Sequence, residues 1–378
     1  MKYLRLLRLL LKAKWDWAPP ANRQILIFDR SGADTIIPLL PNKNFQVLDM
    51  RGERINLPVI IANLLARKSG ASAYAREFIA RTSPRLVITY IDNNPLFYSL
   101  KANFPGVQFA FIQNGMRGGG ADVFAYLEAA GVAKTGSVDM MFVYGAAVGK
   151  EYKKYVHGTC FPVGSVKANS HSKLRARPTR KPKVAFISQY HVLREIPFAD
   201  RIVSAEDFFI KPDKAVLTQL AQIVKSYAGE LEIIPRHRSD EAEEKYFKEI
   251  LGNEITFARK TEKESTLETL GKYSLIATID SSLGYEAIAL GHRVAFFSVR
   301  GSTLRDPSLN FGWPAKLLRS GPFWTNDAKP RIMKKILDFC LTATPKEWEF
   351  RTRRYLRDVI AYDAGNSVIR SQLQRVCA

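Results

Sequence analysis

The stretch 275–299, LIATIDSSLGYEAIALGHRVAFFSV, constrains the fold of this chain more tightly than any other. Residues 275–279 are apolar, too few for a helix, and closed by Asp280, the pattern of a strand buried on both faces of a parallel sheet. Ser281 and Ser282 suit a helix N-cap, residues 285–290 carry the helix, Gly291 suits a left-handed C-terminal position, and 293–299 predicts the next strand. In such a unit the strand's carboxyl end meets the helix's free N–H groups. There the hydroxyls of Ser281 and Ser282 and the backbone of Gly284 could hold a phosphate, or the serines could only cap the helix. Asp280 beside them would repel an anion unless it binds something else.

The same alternation runs along the chain. Strands are predicted over 25–29, 45–50, 86–91, 107–112, 140–144 and 160–163, with helices over 58–68 and 73–81 and another between the last two strands. Residues 169–183, NSHSKLRARPTRKPK, are polar, basic and punctuated by Pro178 and Pro182, which reads as a linker. Beyond it, strands over 184–188, 231–234, 255–258 and 275–279 alternate with helices over 214–227, 240–251 and 265–272, and the unit at 275–299 closes the sheet. Two tail helices are predicted over 331–341 and 346–359. The fold class is therefore α/β: two Rossmann-like domains, 21–170 and 184–330, joined by 171–183 and facing across a cleft in a GT-B-like arrangement, with C-terminal helices in 331–378 crossing back to brace the first domain.

Ligands of open α/β sheets bind beyond the carboxyl ends of the strands. Asp29, Asp92, Gln113, Asn114, Gln189, His237 and Asp280 fall at or just after predicted strand ends, accompanied by Arg30, Arg117, Arg236 and Arg238. Polar residues are common at such places singly; it is the joint pattern that argues for a cleft. The chain has no P-loop, no HExxH and no nucleophile elbow, and the glycines at 118–120 follow a turn rather than opening a dinucleotide fingerprint. Neither the three cysteines (Cys160, Cys340, Cys377) nor the five histidines have metal spacing, so neither metal nor resident cofactor is expected. What remains suits transfer of a group from an activated, phosphate-bearing donor to a polar acceptor.

Charge narrows the partners. Lys plus Arg number 57 against 36 Asp plus Glu, a net +21 that favours anionic surfaces and substrates. Residues 1–15 place Lys2, Arg5, Arg8 and Lys12 at helical spacing with leucines opposite, which predicts a basic amphipathic helix within 1–20, lying in an anionic bilayer interface or packed on the domain. Arg351, Arg353, Arg354 and Arg357 form a second basic cluster. Neither cluster interleaves aromatics as RNA binders do, nor shows a DNA-reading motif, so nucleic acid is not an expected partner. The sequence has no apolar run of about 18 residues or more, and nothing near its start combines a long apolar core with a small-residue cleavage site, so neither membrane integration nor export by that route is expected. The expected location is cytoplasmic, peripheral on the inner face of the cytoplasmic membrane.

Several blocks also carry a family resemblance. TYIDNNPLFYSL (89–100), FIQNGMRGG (111–119), VDMMFVYG, FPVGSVKANS, FISQY, IDSSLGYEAIALGHRVAFFS, GPFWTND and YDAGN resemble, in this order, bacterial surface carbohydrate and O-antigen biosynthesis proteins, over residues 85–367. More distantly the architecture is similar to two-domain glycosyltransferases, including β-Kdo transferases and the teichoic-acid glycerophosphotransferases that use cytidine-nucleotide donors. The resemblance implies a glycosyltransferase-like enzyme of O-antigen, lipopolysaccharide or capsule assembly, with a nucleotide-activated donor, for which a CMP-linked sugar is one candidate, and a glycan or lipid-linked glycan acceptor. A polyol-phosphate transferase and a non-catalytic binding subunit remain open alternatives.

On that basis Ser281, Ser282 and Gly284 would hold the donor phosphate beside Asp280, with Arg236, His237 and Arg238 adding positive charge and Glu286 accepting ribose hydroxyls. Related donor sites carry a His-Pro pair after a strand; here Arg238 stands in the proline's place. Asp92 is the candidate catalytic carboxylate, as base or nucleophile, or else an Asx cap for the helix after Pro95. Asn93, Gln113, Asn114 and Arg117 would position sugar hydroxyls or the departing phosphate, and Phe323 and Trp324 would stack on a sugar ring unless they belong to the core.

Overall fold

The computed structural model describes residues 13–118, 122–174, 179, 181–191, 194–198, 201–236, 240–259 and 265–378. In the first half the strands are β1 (Lys14–Asp16), β2 (Ile25–Phe28), β3 (Phe45–Leu48), β4 (Arg54–Asn56), β5 (Leu86–Thr89), β6 (Gln108–Ile112), β7 (Ser137–Val143) and β8 (His157–Pro162). The second half adds β9 (Lys183–Ile187), β10 (Ile196–Phe198), β11 (Arg201–Val203), β12 (Glu230–Ile234), β13 (Thr256–Phe257), β14 (Leu275–Thr278), β15 (Val294–Phe297) and β16 (Trp324–Thr325).

Two six-stranded sheets result, ordered β3-β2-β5-β6-β7-β8 and β13-β12-β9-β14-β15-β16, with every neighbour pair parallel. The central strands β2, β5, β14 and β15 are buried along their whole length, as sheets covered by helices on both faces require. The second sheet has the strand order of the dinucleotide-binding fold, reversing direction of growth between β9 and β14; the first reverses between β2 and β5. The two-domain α/β architecture expected from the sequence is the one found.

Some expectations differ from the structure. Of the helix expected at the N-terminus, residues 1–12 lie outside the described residues, while Lys14–Asp16 is a strand paired in parallel with Arg54–Asn56. The second sheet does not close at 293–299, because Trp324–Thr325 pairs beyond β15. A hairpin of β10 and β11 and a π-helical turn at Glu206–Ile210, neither carrying a recognisable period, precede the helix Lys211–Ser226. Within the basic stretch at 169–183, residues 175–178 and 180 lie outside the described residues.

The tail crosses back as expected. After the helix Pro345–Val359, Ala361 donates its N–H to the Tyr144 carbonyl at 2.7 Å, and Ile369 and Leu373 of the last helix, Ser367–Cys377, complete the core on one face of the first sheet. The approach is close enough to need glycine: a Cβ on Gly145 would stand 2.4 Å from the Val359 carbonyl oxygen.

Candidate functional site

The second sheet reverses between β9 and β14, and the carboxyl ends of the two strands at such a reversal are where open α/β sheets place a ligand crevice. Gln189, just past β9, spans it: its Oε1 accepts from the Asp280 N–H at 3.3 Å and from Arg300 Nη1 at 3.0 Å. Arg300 also pairs with the Asp280 carboxylate, so the charge that argued against an anion here is already matched. Its Nη2 lies 3.9 Å from Asp213 Oδ1 and has no hydrogen-bond partner among the described residues. Burial works against the Arg300 charge, but Asp280 and Asp213 outweigh it and raise the guanidinium pKa. Burial pushes the Asp213 carboxyl up to about 6, against the pull of Arg300 and of the Tyr246 hydroxyl that donates to it at 2.8 Å.

The helix Ser282–Ala289 starts at this crevice with Ser281 as N-cap, its Oγ accepting from the Leu283 N–H at 3.3 Å. Ser282 Oγ accepts instead from the Met116 N–H of the first domain at 2.9 Å. Each hydroxyl accepts from the backbone and keeps its own proton to donate, so capping and phosphate binding do not compete. Gly284 has a different part from the one expected. Its N–H is spent on the Ser281 carbonyl at 2.9 Å, and a Cβ there would meet Thr278 Cγ2 at 2.6 Å, so it lets the helix pack on the sheet.

Across the boundary, Asp92 lies past the end of β5 with no exposed surface. Arg117 holds it in a fork, Nε to Oδ2 at 2.9 Å and Nη2 to Oδ1, while Tyr152 donates its hydroxyl to Oδ2 and Tyr98 donates to the Asp92 carbonyl at 2.5 Å. The carboxylate expected to open on the cleft is therefore sealed beneath Arg117. Nor is it the cap: Asn94 caps the helix Pro95–Leu100 by accepting from the Leu96 N–H at 3.1 Å. Arg117 in turn reaches Asn114 Oδ1 and, at 3.4 Å, Asp122. Burial opposes its charge, but the carboxylate of Asp92 raises the guanidinium pKa well above its ordinary value, so the cation is fixed.

Gln113 does not face a substrate. Its Oε1 accepts from the Tyr144 N–H at 2.8 Å and its Nε2 donates to the Gly115 carbonyl at 2.7 Å, fixing the turn that carries Asn114 and Arg117. Asn93 is exposed at the same edge. Glu286, one turn beyond Ser282, faces the first domain rather than standing open: its Oε1 accepts from Tyr144 Oη at 3.0 Å and Ser165 Oγ at 2.6 Å. Phe323 and Trp324 are fully buried in a ring cluster with Phe311 and Tyr355, and the Trp324 indole N–H donates to the Leu318 carbonyl, so they are core and not a sugar platform. Arg236 is exposed after β12, while His237 and Arg238 lie outside the described residues.

The structure thus brings Ser282 of the second domain against the Gly115–Met116 turn, which lies between Asn114 and Arg117 in the chain, and Glu286 against Tyr144 and Ser165 of the first. Arg300, Asp213, Tyr144, Tyr152 and Ser165 were not singled out from the sequence. Arg300 follows its strand by three residues and Asp213 sits inside a helix, so no strand-end rule finds them. Tyr144 directly follows β7, where that rule could have found it, whereas Ser165 stands three residues past β8, as Arg300 does past β15.

A family model described as "putative O-antigen biosynthesis protein" matches residues 110–376. The chain belongs to that family. No curated protein matches. Among solved structures it is similar to a "putative UDP-N-acetylglucosamine 2-epimerase" from Listeria monocytogenes (11% identity, 94% of this chain and 95% of that one, TM-score 0.49). It is similar also to the wall teichoic acid polymerase TagF (9% identity, 95% and 89%, TM-score 0.48) and to the UDP-GlcNAc 2-epimerase of Methanocaldococcus jannaschii (12%, 93% and 98%, TM-score 0.48). At these scores the likeness carries no functional weight.

Proposed function

We propose that this O-antigen family member transfers a sugar from a nucleotide-activated donor, cytidine-linked by preference, to a glycan or lipid-linked glycan at the inner face of the cytoplasmic membrane. The observation that carries the donor assignment is the buried Arg300 Nη2, which has no hydrogen-bond acceptor among the described residues and lies at the reversal point of a dinucleotide-type sheet. A buried donor without an acceptor is costly, and a ligand oxygen would satisfy it. Ser281 and Ser282 donate their hydroxyl protons to the donor phosphate, and the basic turn at Arg236, His237 and Arg238 adds charge. Glu286 has its Oε2 without a partner among the described residues and takes the ribose hydroxyls.

Because Ser282 and Glu286 already touch the first domain, a donor on that helix lies against Arg117 and Asn114. Arg117 stabilises charge on the departing phosphate, a role for fixed cations where charge develops in the transition state. In this arrangement Asp92 positions Arg117; it meets an acceptor hydroxyl as a base only if Arg117 moves off it. Asn93 orients the acceptor. The basic segment 1–15 and the net charge of +21 support residence on an anionic membrane.

The test is incubation with nucleotide-sugars and a lipid-linked glycan, read by product mass. The expected product is the acceptor plus one sugar residue. An acceptor gaining a polyol phosphate, or nucleotide binding with no turnover for any donor, overturns the sugar-transfer reading.

A further inference from the structure

One helix of the first domain is apolar on the wrong side. In Leu57–Leu65, Val59 and Asn63 are buried against the fold, while Ile61, Leu64 and Leu65 are 46%, 67% and 82% exposed. These three recur at the spacing of a single outward face, directly opposite Val59 and Asn63. A surface helix normally presents polar residues there. Trp17, 76% exposed, stands at the other end of the same unit. Asp16 beside it pairs in register with Asn56, the N-cap of this helix, and Asn56 Nδ2 donates to the Ala18 carbonyl at 2.8 Å. Trp17 is thereby pinned at the helix's N-terminal end, about 13 Å along the axis from Leu65.

The charges around this face are mostly of one sign. Lys14 and Arg54 are exposed near Trp17, and Arg67 and Lys68 directly follow the helix. Asp16 is balanced by Arg54 at 2.9 Å. Residues 1–12, with Lys2, Arg5, Arg8 and Lys12 among leucines, directly precede this unit in the sequence.

We infer that this face is a bilayer contact: Trp17, Ile61, Leu64 and Leu65 insert into the interface of an anionic membrane while Lys14, Arg67 and Lys68 meet its headgroup phosphates. An apolar stripe flanked by cations fits acyl chains below phosphates, which is the composition of an interfacial element. The contact belongs to the folded domain and is additional to the basic leader, so it would set the orientation of the first domain on the membrane. It does not depend on which donor or acceptor the protein uses.

The test is flotation of the full-length protein with phosphatidylcholine vesicles, with and without phosphatidylglycerol. The expected result is binding only where phosphatidylglycerol is present, weakened by salt and reduced about tenfold or more by Trp17→Ser, Leu64→Ser and Leu65→Ser together. The same substitutions should abolish binding in a chain whose Lys2, Arg5, Arg8 and Lys12 are changed to Glu. All three residues are exposed, so circular dichroism and the melting midpoint should be unchanged. Undiminished flotation of the folded triple variant overturns the inference, because the leader alone then carries the contact. So does sedimentation showing a wild-type dimer that the substitutions dissociate, since the face then joins two copies of the chain. Turnover on a soluble acceptor should be unaffected, which separates failure here from failure of the transferase reading.

Discussion

Tyr144 donates its hydroxyl to Glu286 at 3.0 Å across the boundary between the two domains. Burial and the Glu286 charge both raise the Tyr144 pKa well above the ordinary range, so the phenol stays a donor at any physiological pH. Tyr144→Phe should cost roughly 1 to 3 kcal/mol in chemical denaturation, the loss of a bond to a buried charged acceptor. Glu286→Gln keeps an acceptor for Tyr144 and so should leave the fold nearly intact, yet weaken nucleotide binding about tenfold by replacing a charged acceptor with a neutral one. Wild-type affinity in Glu286→Gln, measured calorimetrically, would remove Glu286 from the donor site.

The fork between Arg117 and Asp92 makes a separate prediction. Asp92→Asn should lower turnover by at least about a hundredfold with donor affinity barely changed, the range for a group acting mainly in the transition state. Removing one partner of a buried pair should also cost roughly 3 to 5 kcal/mol of stability. If Asp92 works through Arg117, then Arg117→Lys should lose a similar factor and the double variant should be little worse than either single one. Independent, multiplying losses would show that Asp92 acts on substrate directly. Near-normal turnover in a folded Asp92→Asn would make the pair structural.

Much of the fold was legible because its central strands are short, largely apolar runs such as LVIT at Leu86–Thr89 and LIAT at Leu275–Thr278, which a parallel sheet buried on both faces requires. The site was legible only to the level of strand ends. Asp92 and Gln113 stand where the rule puts functional polar groups, but whether a side chain faces substrate or is consumed by a neighbour depends on Arg117 and on Tyr144, which approach from other elements. Phe323 and Trp324 misled because the two-residue strand Trp324–Thr325 is too short to show a period and takes its place only by pairing with Phe296 and Phe297. The pairing of Asp280 with Arg300 was invisible for the same reason: the two meet because their βα turns are neighbours in the sheet.

Asp213 gives the donor crevice a pH signature. Burial holds its carboxyl at about 6, so the folded chain binds that proton more tightly than the unfolded chain does. Its contribution to stability is full below the unfolded carboxylate value and is lost as pH rises toward 6. Asp213→Asn should remove this dependence, and the stability of wild type relative to the variant should fall by up to about 1.4 kcal/mol per pH unit between roughly pH 4 and pH 6. His292, which burial lowers to about 4, slopes the opposite way over the same interval and cancels in the comparison. A difference that is flat with pH would show that Asp213 is ionised throughout as the partner of Arg300.

The central claim is that the crevice between β9 and β14 holds a nucleotide by its phosphate, and calorimetric titration of the full-length protein with CMP, CDP and UDP tests it most directly. The prediction is saturable binding of at least one of them, weakened by about 1 to 3 kcal/mol in the Ser281→Ala, Ser282→Ala double variant through loss of two hydrogen bonds to phosphate. Absence of binding by all three, or equal affinity in a folded double variant, would contradict it.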